Sequence, residues 1–347
     1  MNAASYGLEQ RKQRWRDFLD PQKPAQHLYM IYFDPAPPPP RPSLGWDQIP
    51  QRIEWAWECY RLQFERMQWL RDDLLPFLNV NTGTEIFAEC FGCQVHRPDD
   101  NMPFALPLVT TASEAAKIKT PRLADTPLMK LFDIADELKR RGGKEAPMAI
   151  VDIQTPMDIA ALIWNKSDFY TALLDTPEAV VELADKVKTL FVEFVDEWFR
   201  RYGPDFISHY PAYYMPKGLT VSEDEIGSVN SDMFLEFFLP ELVELSTRYG
   251  GLGIHCCANA KHQWSNLLRI PGFKVLNMVQ PVEVIKEACK FFAPHVAQMH
   301  SWSGDGAPET WASWYPGNAR MVLQACAQNV DEAKTVSDKM WASCGRS

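Results

Sequence analysis

The feature that most constrains the fold is an alternation of short apolar runs with amphipathic helical patterns. Each run is rich in β-branched or aromatic residues, which is typical of a buried strand. The clearest helical patterns cover residues 177–203 and 231–250, which both end in glycine, and residues 329–341, for which Asn329 is a candidate N-cap. The eight apolar runs are residues 27–33, 77–83, 148–156, 205–213, 252–259, 273–280, 295–302 and 319–326.

Eight strands that alternate with helices predict an α/β fold of the (β/α)8 TIM barrel type. The competing doubly wound sheet usually carries a glycine-rich turn after its first strand, and no such turn follows residues 27–33. We expect one barrel domain over residues 1–347, with residues 1–75 as an N-terminal helical and extended extension. Within it, the proline-rich run 34–46 is predicted to be an extended surface segment.

The charge of the chain argues against several classes of partner. The net charge is −10 and no long basic run is present, so we expect neither nucleic acid nor an anionic membrane as a partner. No segment reaches the roughly 18 continuous apolar residues of a membrane span, and the N-terminus has no apolar core of a signal peptide. We therefore expect a cytoplasmic protein whose eight cysteines are thiols or metal ligands.

Polar side chains recur at the ends of the predicted strands. In a (β/α)8 barrel the active site lies at the C-terminal ends of the strands, whereas a buried strand is otherwise continuously apolar. This pattern nominates candidate site residues at six strand ends. They are Gln154, His209, Tyr210, His255, Cys257, Gln280, His300 and Cys326.

The pair His255 and Cys257 is the strongest candidate for a metal site. Alternate residues of a strand point to the same side, so an imidazole and a thiolate face a common point while Cys256 faces away. If Cys326 reaches the same end of the barrel, two sulfurs and one nitrogen would suit zinc with one open position. The alternative is core packing, because cysteine is among the most buried residue types.

A long segment over residues 209–228 is predicted to be a loop between a strand and a helix. Its tyrosines, Tyr213 among them, can line a substrate pocket, and its acids Glu223, Asp224 and Glu225 include a candidate general acid. The alternative is a solvated loop whose acids favour the start of a helix.

Residues 219–259 resemble the second half of the uroporphyrinogen decarboxylase superfamily. The resemblance extends from about residue 70 to the end of the chain, with earlier landmarks at 83–95, 153–160 and 173–183. Three motifs carry it: an acidic loop, a helix with spaced phenylalanines before a proline, and a strand that ends in a His-x-Cys-x-Asn pattern. The matching residues are Asp224, Glu225, Gly227 and Ser228, then Phe234, Phe237 and Pro240, then His255, Cys257 and Asn259.

The resemblance implies a (β/α)8 barrel and either of two chemistries. The decarboxylases of this superfamily carry an N-terminal arginine-rich motif for substrate carboxylates, and nothing like it surrounds Arg41, Arg52 or Arg61. The cobamide-dependent methyltransferases hold zinc with a His-x-Cys pair and a later cysteine. That likeness makes His255, Cys257 and Cys326 the expected ligands, although Ala258 replaces the usual glycine and the sequence after Cys326 is not glycine-rich.

By this resemblance we expect a zinc-dependent methyltransferase that moves a methyl group between a small methylated substrate (a methyl ether, amine or thiol) and a corrinoid protein. The cobalamin would be carried by that partner, because the chain has no DxHxxG signature. We expect a monomer or homodimer. The expected catalytic residues are Asp224 and Tyr210, and the expected substrate-binding residues are Gln154, His209, Tyr213, Glu225 and His300.

Two alternatives remain at this point. One is a decarboxylase-like lyase that acts on a smaller carboxylated substrate without metal. The other is a non-catalytic barrel that binds a ligand or a corrinoid protein.

Overall fold

The computed structural model describes residues 6–33, 39–98 and 101–344. Part of the predicted proline-rich segment, residues 34–38, therefore lies outside the described residues. The strands are β1 (Leu28–Tyr32), β2 (Val95–His96), β3 (Phe104–Ala105), β4 (Phe206–Ile207), β5 (Tyr214–Met215), β6 (Leu219–Ser222), β7 (Leu252–Cys256), β8 (Phe273–Met278), β9 (Ala297–Gln298) and β10 (Val322–Cys326). The helices are α1 (Leu8–Leu19), α2 (Ile49–Met67), α3 (Ile86–Cys90), α4 (Ala112–Ala115), α5 (Met129–Gly142), α6 (Pro156–Ile163), α7 (Lys166–Asp175), α8 (Pro177–Tyr202), α9 (Ser231–Met233), α10 (Leu239–Tyr249), α11 (Trp264–Leu267), α12 (Val282–Phe292) and α13 (Val330–Ser343).

Parallel pairing connects the strands in the order expected of a (β/α)8 barrel. Strands β6, β7, β8 and β9 form one parallel sheet, and β10 pairs in parallel with β1. Single parallel bridges extend the series: Gln298 to Met321, Gln154 to Ser222, and Leu78 to Met148. The fold prediction is confirmed, and the carboxyl ends of these strands meet at one end of the barrel.

Side chains fasten β1 to the segment that precedes Leu78. The carboxylates of Asp72 and Asp73 accept hydrogen bonds from the backbone N–H groups of Ile31 (3.1 Å) and Tyr29 (2.9 Å). Arg11 of α1 is fully buried and donates to Asp72 Oδ1 at 2.5 Å. A buried ion pair therefore anchors helix α1 to the barrel, although the helix lies within the residues predicted as an extension.

The fourth predicted strand, residues 205–213, is shorter in the structure than expected. Residues 205–213 were expected to form one strand, but only Phe206–Ile207 does so, and it forms a short antiparallel hairpin with Tyr214–Met215. Strand β6 (Leu219–Ser222) then returns to the wall and pairs with β7. The prediction of one long loop over 209–228 is therefore wrong, because the β-branched pair Thr220–Val221 continues the barrel within it.

The helices follow their sequence signals closely. Helix α8 ends at Tyr202, just before Gly203, whose φ of 94° is in the left-handed region. Asn329 caps α13, because its side chain accepts a hydrogen bond from the N–H of Glu332. The predicted helix 231–250 is present as α9 and α10 joined by a π-helical turn over Phe234–Phe238. That turn comes just before Pro240, which lacks the N–H a regular helix uses.

The N-terminus of α6, which follows the predicted third strand (residues 148–156), is buried. Acidic side chains lie against it. Thr155 caps the helix by accepting from the N–H of Asp158 at 3.2 Å. Glu241 of α10 accepts from the N–H of Met157 at 3.2 Å. Burial raises the pKa of Glu241 to about 8, against its hydrogen bond from Met157 and the nearby Lys188 charge, which lower it. At neutral pH this carboxyl group is mostly protonated.

No described helix combines the length and the apolar character that a membrane crossing requires.

Glu241→Gln is expected to change how stability depends on pH. The folded-state pKa of Glu241 is raised to about 8, so this group lowers the stability of the natural protein as pH rises from its ordinary pKa toward 8. A glutamine does not titrate. The variant should therefore gain stability relative to the natural protein between pH 5 and 8, by on the order of 3 kcal/mol, since one pKa unit is worth about 1.4 kcal/mol. Urea unfolding at both pH values measures this.

The matched control is Glu244→Gln on the exposed side of the same helix, where Glu244 pairs with Lys188. Its stability should differ from that of the natural protein by the same small amount at both pH values. Parallel pH profiles for Glu241→Gln and the natural protein would contradict the buried, protonated state of Glu241.

Candidate functional site

The site is built around His255, the fourth residue of β7. Its Nδ1 lies 2.5 Å from Oδ1 of Asn277 on the neighbouring strand β8. The Asn277 amide nitrogen donates to the carbonyl oxygen of Met299, which fixes the orientation of the amide. Asn277 Oδ1 therefore accepts the proton of Nδ1, and Nε2 of His255 is left with its lone pair. This is the tautomer that a metal-binding imidazole requires.

Cys257 lies where the lone pair of His255 points. The distance from His255 Nε2 to Cys257 Sγ is 3.0 Å, and Cys257 is exposed while Cys256 is buried. The structure thus confirms that the first and third residues of His-Cys-Cys face one point. Burial and, second, the charge of Asp224 raise the pKa of the Cys257 thiol.

Asp224 holds the turn that carries Cys257. Its Oδ1 accepts hydrogen bonds from the N–H groups of Cys257 at 2.5 Å and Ala258 at 3.3 Å. The two turns are in close contact, because a Cβ atom on Gly227 would lie 2.5 Å from the Cβ of Ala258. Asp224 therefore positions Cys257 directly, and its predicted role as a proton donor stays a prediction.

Asp158 and Glu223 form a fully buried carboxyl pair beneath the turn that contains Asp224 and Glu225, here called the Asp224 turn. Asp158 of α6 accepts from the N–H of Asp224 (2.8 Å) and of Glu225 (3.1 Å). Burial raises the pKa of Asp158 to about 7. Burial and then the adjacent Asp158 charge raise the pKa of Glu223 well above its usual range, so Glu223 is the protonated partner. Thr155 donates to Glu223 Oε2 at 2.6 Å.

Asp152 is a site residue that the strand-end pattern missed. Its Oδ2 lies 3.3 Å from His209 Nε2. Burial raises the pKa of Asp152, while the positive forms of His209 and His255 oppose the rise. Asp152 and His209 line a small cavity together with Tyr210 and His255. The available signal was an acid inside the apolar run "MAIVDIQTP", since a charged residue is seldom buried without a partner.

Tyr210 reaches the site by way of the hairpin formed by β4 and β5. Its ring stands edge-on to the ring of His255, with centroids 4.8 Å apart and planes at 83°. Its side chain is 55% exposed, so it borders the open end of the barrel. His209 and Tyr210 thus lie beside His255, as predicted, although they do so from a hairpin loop.

Buried polar atoms of a residue that lines this cavity, and of two chain neighbours of lining residues, have no partner within the described residues. They include His209 Nδ1, Gln154 Oε1 and Glu223 Oε1. Buried polar atoms are nearly always hydrogen-bonded, to protein, water or a ligand. His209 therefore offers this cavity a ring nitrogen that no described residue engages.

The other predicted substrate-binding side chains are engaged inside the protein. Glu225 accepts hydrogen bonds from Lys166 and Tyr170. His300 accepts from the N–H of Met278 at Nδ1 (3.1 Å), its Nε2 faces Gln298 Oε1 (2.9 Å), and burial lowers its pKa to about 3. Substrate contact at these residues would have to replace internal bonds.

Tyr213 is also buried, and its hydroxyl oxygen would lie 2.2 Å from a Cβ on Gly253. It packs against β7, the strand that carries His255. A direct contact between Tyr213 and substrate stays a prediction.

Cys326 ends β10 at the same end of the barrel, opposite Tyr32 in the β1–β10 register. Burial raises the pKa of Tyr32 to about 12, and Tyr210 and Cys326 are among the nearby groups that contribute to the rise. Cys326 is exposed. Across the described residues, however, no three His, Cys, Asp or Glu side chains are gathered closely enough to hold a metal ion. The donor atoms of His255 and Cys257 fit zinc in kind, and Cys326 would complete the set only by moving toward them.

The comparisons with known proteins agree with this architecture. A solved structure of a methyltransferase from Methanosarcina mazei superposes with a TM-score of 0.64, over 96% of this chain and 97% of that chain, at 11% sequence identity. At this identity the likeness shows the fold alone. No curated protein sequence matches the chain.

The sequence itself matches a protein-family model over residues 80–297, which is more than half of its 347 residues. The matched region carries His255, Cys257, the Asp224 turn and the buried carboxyl pair, and the model is described as uroporphyrinogen decarboxylase. With the barrel and the ordered motifs in agreement, the chain belongs to the uroporphyrinogen decarboxylase family.

Proposed function

We propose that the protein is a zinc-dependent methyltransferase that moves a methyl group between a small methylated substrate and a corrinoid protein. One observation carries the proposal: Nε2 of His255 and Sγ of Cys257 are 3.0 Å apart at the open end of the barrel, and Asn277 holds the histidine in its metal-binding tautomer. The two atoms make a hydrogen bond to each other, which holds both donors together at the point where zinc would bind. The fold likeness to a methyltransferase supports this choice within the family.

The proposed ligands are His255, Cys257 and Cys326. His255 and Cys257 are placed by adjacent barrel strands and by the Asp224 turn, so little ordering is needed at these two positions. Cys326 would be recruited from the end of β10. A bound zinc supplies a Lewis acid that activates a thiol, ether or amine heteroatom for methyl transfer.

Asp152 and His209 are placed to handle the proton that methyl transfer requires. A heteroatom that loses its methyl group gains a proton, and one that accepts a methyl group releases one. His209 contacts Asp152 through Nε2, and its buried Nδ1 has no partner within the described residues. His209 would hold or donate the proton at that heteroatom, with Asp152 fixing the imidazole. The edge of Tyr210 would close the pocket over His255.

The corrinoid would arrive on a separate protein that docks over the open end of the barrel. Large side chains are exposed there, among them Tyr32 and Tyr210. The chain lacks the arginine-rich motif of the porphyrinogen decarboxylases, which favours methyl transfer over decarboxylation.

Metal analysis of the purified protein tests the ligand set. Purification without chelators should yield about one zinc per chain, as a three-ligand catalytic site requires. Cys257→Ala and Cys326→Ala should each lose most of this zinc, because two remaining ligands bind weakly. Plasma emission spectrometry measures the zinc content.

Cys256→Ala is the matched control, since Cys256 is adjacent but buried on the other face of β7. It should retain zinc like the natural protein. A natural protein without zinc would overturn the proposal and would favour a metal-free lyase. Zinc lost from Cys257→Ala but kept by Cys326→Ala would remove Cys326 from the ligand set.

Asp152→Asn tests the proton-handling pair. The amide keeps the shape but cannot stabilise a protonated His209, so we expect methyl transfer to fall about 100-fold while zinc content is unchanged. The assay follows the absorbance change of an added corrinoid protein, with a panel of methyl ethers, amines and thiols as substrates. The exposed Asp175→Asn on α7 serves as control and should keep full activity. Equal rates for both variants would exclude Asp152 from the reaction.

A further inference from the structure

A second cavity lies at the opposite end of the barrel from His255. It has a volume of about 750 Å³, within the range of typical small-molecule pockets. Its walls are the start of β8 at Phe273, the start of β9 at Ala297, and the chain just before β10. The connection after α1, from Leu19 to Ala25, forms the remaining side.

The lining of this cleft combines apolar residues with cations. Ile270, Phe273 and Val296 are buried residues of the apolar part. The charged lining residues are Lys23, Lys274 and Arg320, with His295 beside them, and the lining contains no aspartate or glutamate. The whole chain carries a net charge of −10, so a cleft lined by cations alone departs from the rest of the surface.

These cations have no carboxylate partner in an ion pair within the described ranges, whereas most lysines and arginines on the helices do. Lys274 is half-buried, its stem lies across Gly251, and its Nζ donates to the carbonyl oxygen of Lys217 at 2.6 Å. Burial lowers the pKa of Lys274, and the positive charge of Lys217 lowers it further. A negative charge at this position would stabilise the charged lysine and so oppose both effects on the pKa.

Arg320 connects two walls of the cleft. It donates to the carbonyl oxygens of Phe18 (2.8 Å) and Lys23, so it fixes the α1 connection against the barrel. Burial lowers the pKa of Arg320, and Asp20 is the nearby acid that opposes this. Arg320 is therefore held in place before any ligand binds, which reduces the ordering cost of binding at this residue.

We propose that this cleft is a second ligand site that takes a small amphipathic anion, a carboxylate or phosphate carried on a hydrocarbon or aromatic group. The anionic group would lie against Lys274 and Lys23, and the apolar part would cover Phe273 and Ile270. Cations next to apolar surface favour such a molecule over a bare ion, which has no apolar part, and over a neutral molecule, which leaves the lysines unpaired. The site is at the opposite end of the barrel from the proposed methyl-transfer site and does not depend on that function.

Isothermal titration calorimetry on the full chain tests the site with phenyl phosphate and with octanoate. We expect at least one of them to bind, and phenol and inorganic phosphate to bind at least about tenfold more weakly, since each lacks one half of the contact. Lys274→Met keeps the length of the stem and removes the charge. It should weaken binding about tenfold or more, the size expected for a lost charged hydrogen bond.

Lys117→Met is the matched control, because Lys117 is exposed, lies in the connection after α4 and does not line the cleft. It should bind the probes like the natural protein. Lys23→Met, at an exposed position, provides a second variant in case Lys274→Met unfolds, and thermal unfolding of each variant shows whether it has folded.

Three results would overturn the proposal: neither probe binds, binding is unchanged in both Lys274→Met and Lys23→Met, or inorganic phosphate binds as well as phenyl phosphate. If a second copy of the chain covers the cleft, sedimentation will show a dimer and neither probe will bind, which also overturns it.

Discussion

Carboxylate-to-amide hydrogen bonds hold the site loops to one another, and the rest of the site depends on them. Asp158 accepts the N–H groups at the start of the Asp224 turn, and Asp224 accepts those of the turn that carries Cys257. Hydrogen bonds to charged acceptors are roughly twice as strong as neutral ones, particularly away from water. The position of Cys257 is thereby set from α6, through two consecutive turns, before any ligand binds.

This arrangement places several acids in the interior, and protonation makes that possible. Asp158, Glu223 and Glu241 are all buried, and burial raises the pKa of each one. Three neighbouring carboxylates could not all be charged in a medium of low polarity. A neutral Glu223 beside Asp158 leaves one acceptor charge where the amides of the Asp224 turn need it. The buried cluster is therefore part of the support for the site.

The sequence was sufficient for the barrel and for the pair at the centre of the site. The apolar residues of β7 and β8 are enough to mark two strands, and alternation along β7 and the residue after it put His255 and Cys257 on one side. Strand β6 was missed because only four residues pair there, after Pro216 and Gly218, and the acids that follow it were interpreted as part of a loop.

Asp152 was missed for a different reason. Its partner His209 is far away in the chain and arrives from a hairpin, so no local spacing reveals the pair. The placement of Cys326 likewise depends on how β10 ends against β1, which is a tertiary property. Periodicity and spacing predict elements and neighbours on one strand, whereas contacts between distant turns come only from the folded chain.

The connection of β1 to the barrel has a consequence for the smallest unit that can fold. The family match begins at residue 80 and ends at residue 297, so it omits β1, β10 and α1. A fragment cut to those limits would lose β1, β10 and also Leu78, which bridges to Met148. The barrel would become an open sheet with two unpaired edges, a form prone to associate with other chains. The buried Arg11–Asp72 ion pair thus helps to keep the barrel closed, because Asp72 also binds the backbone of β1. The N-terminal helix is therefore part of the smallest unit that can fold.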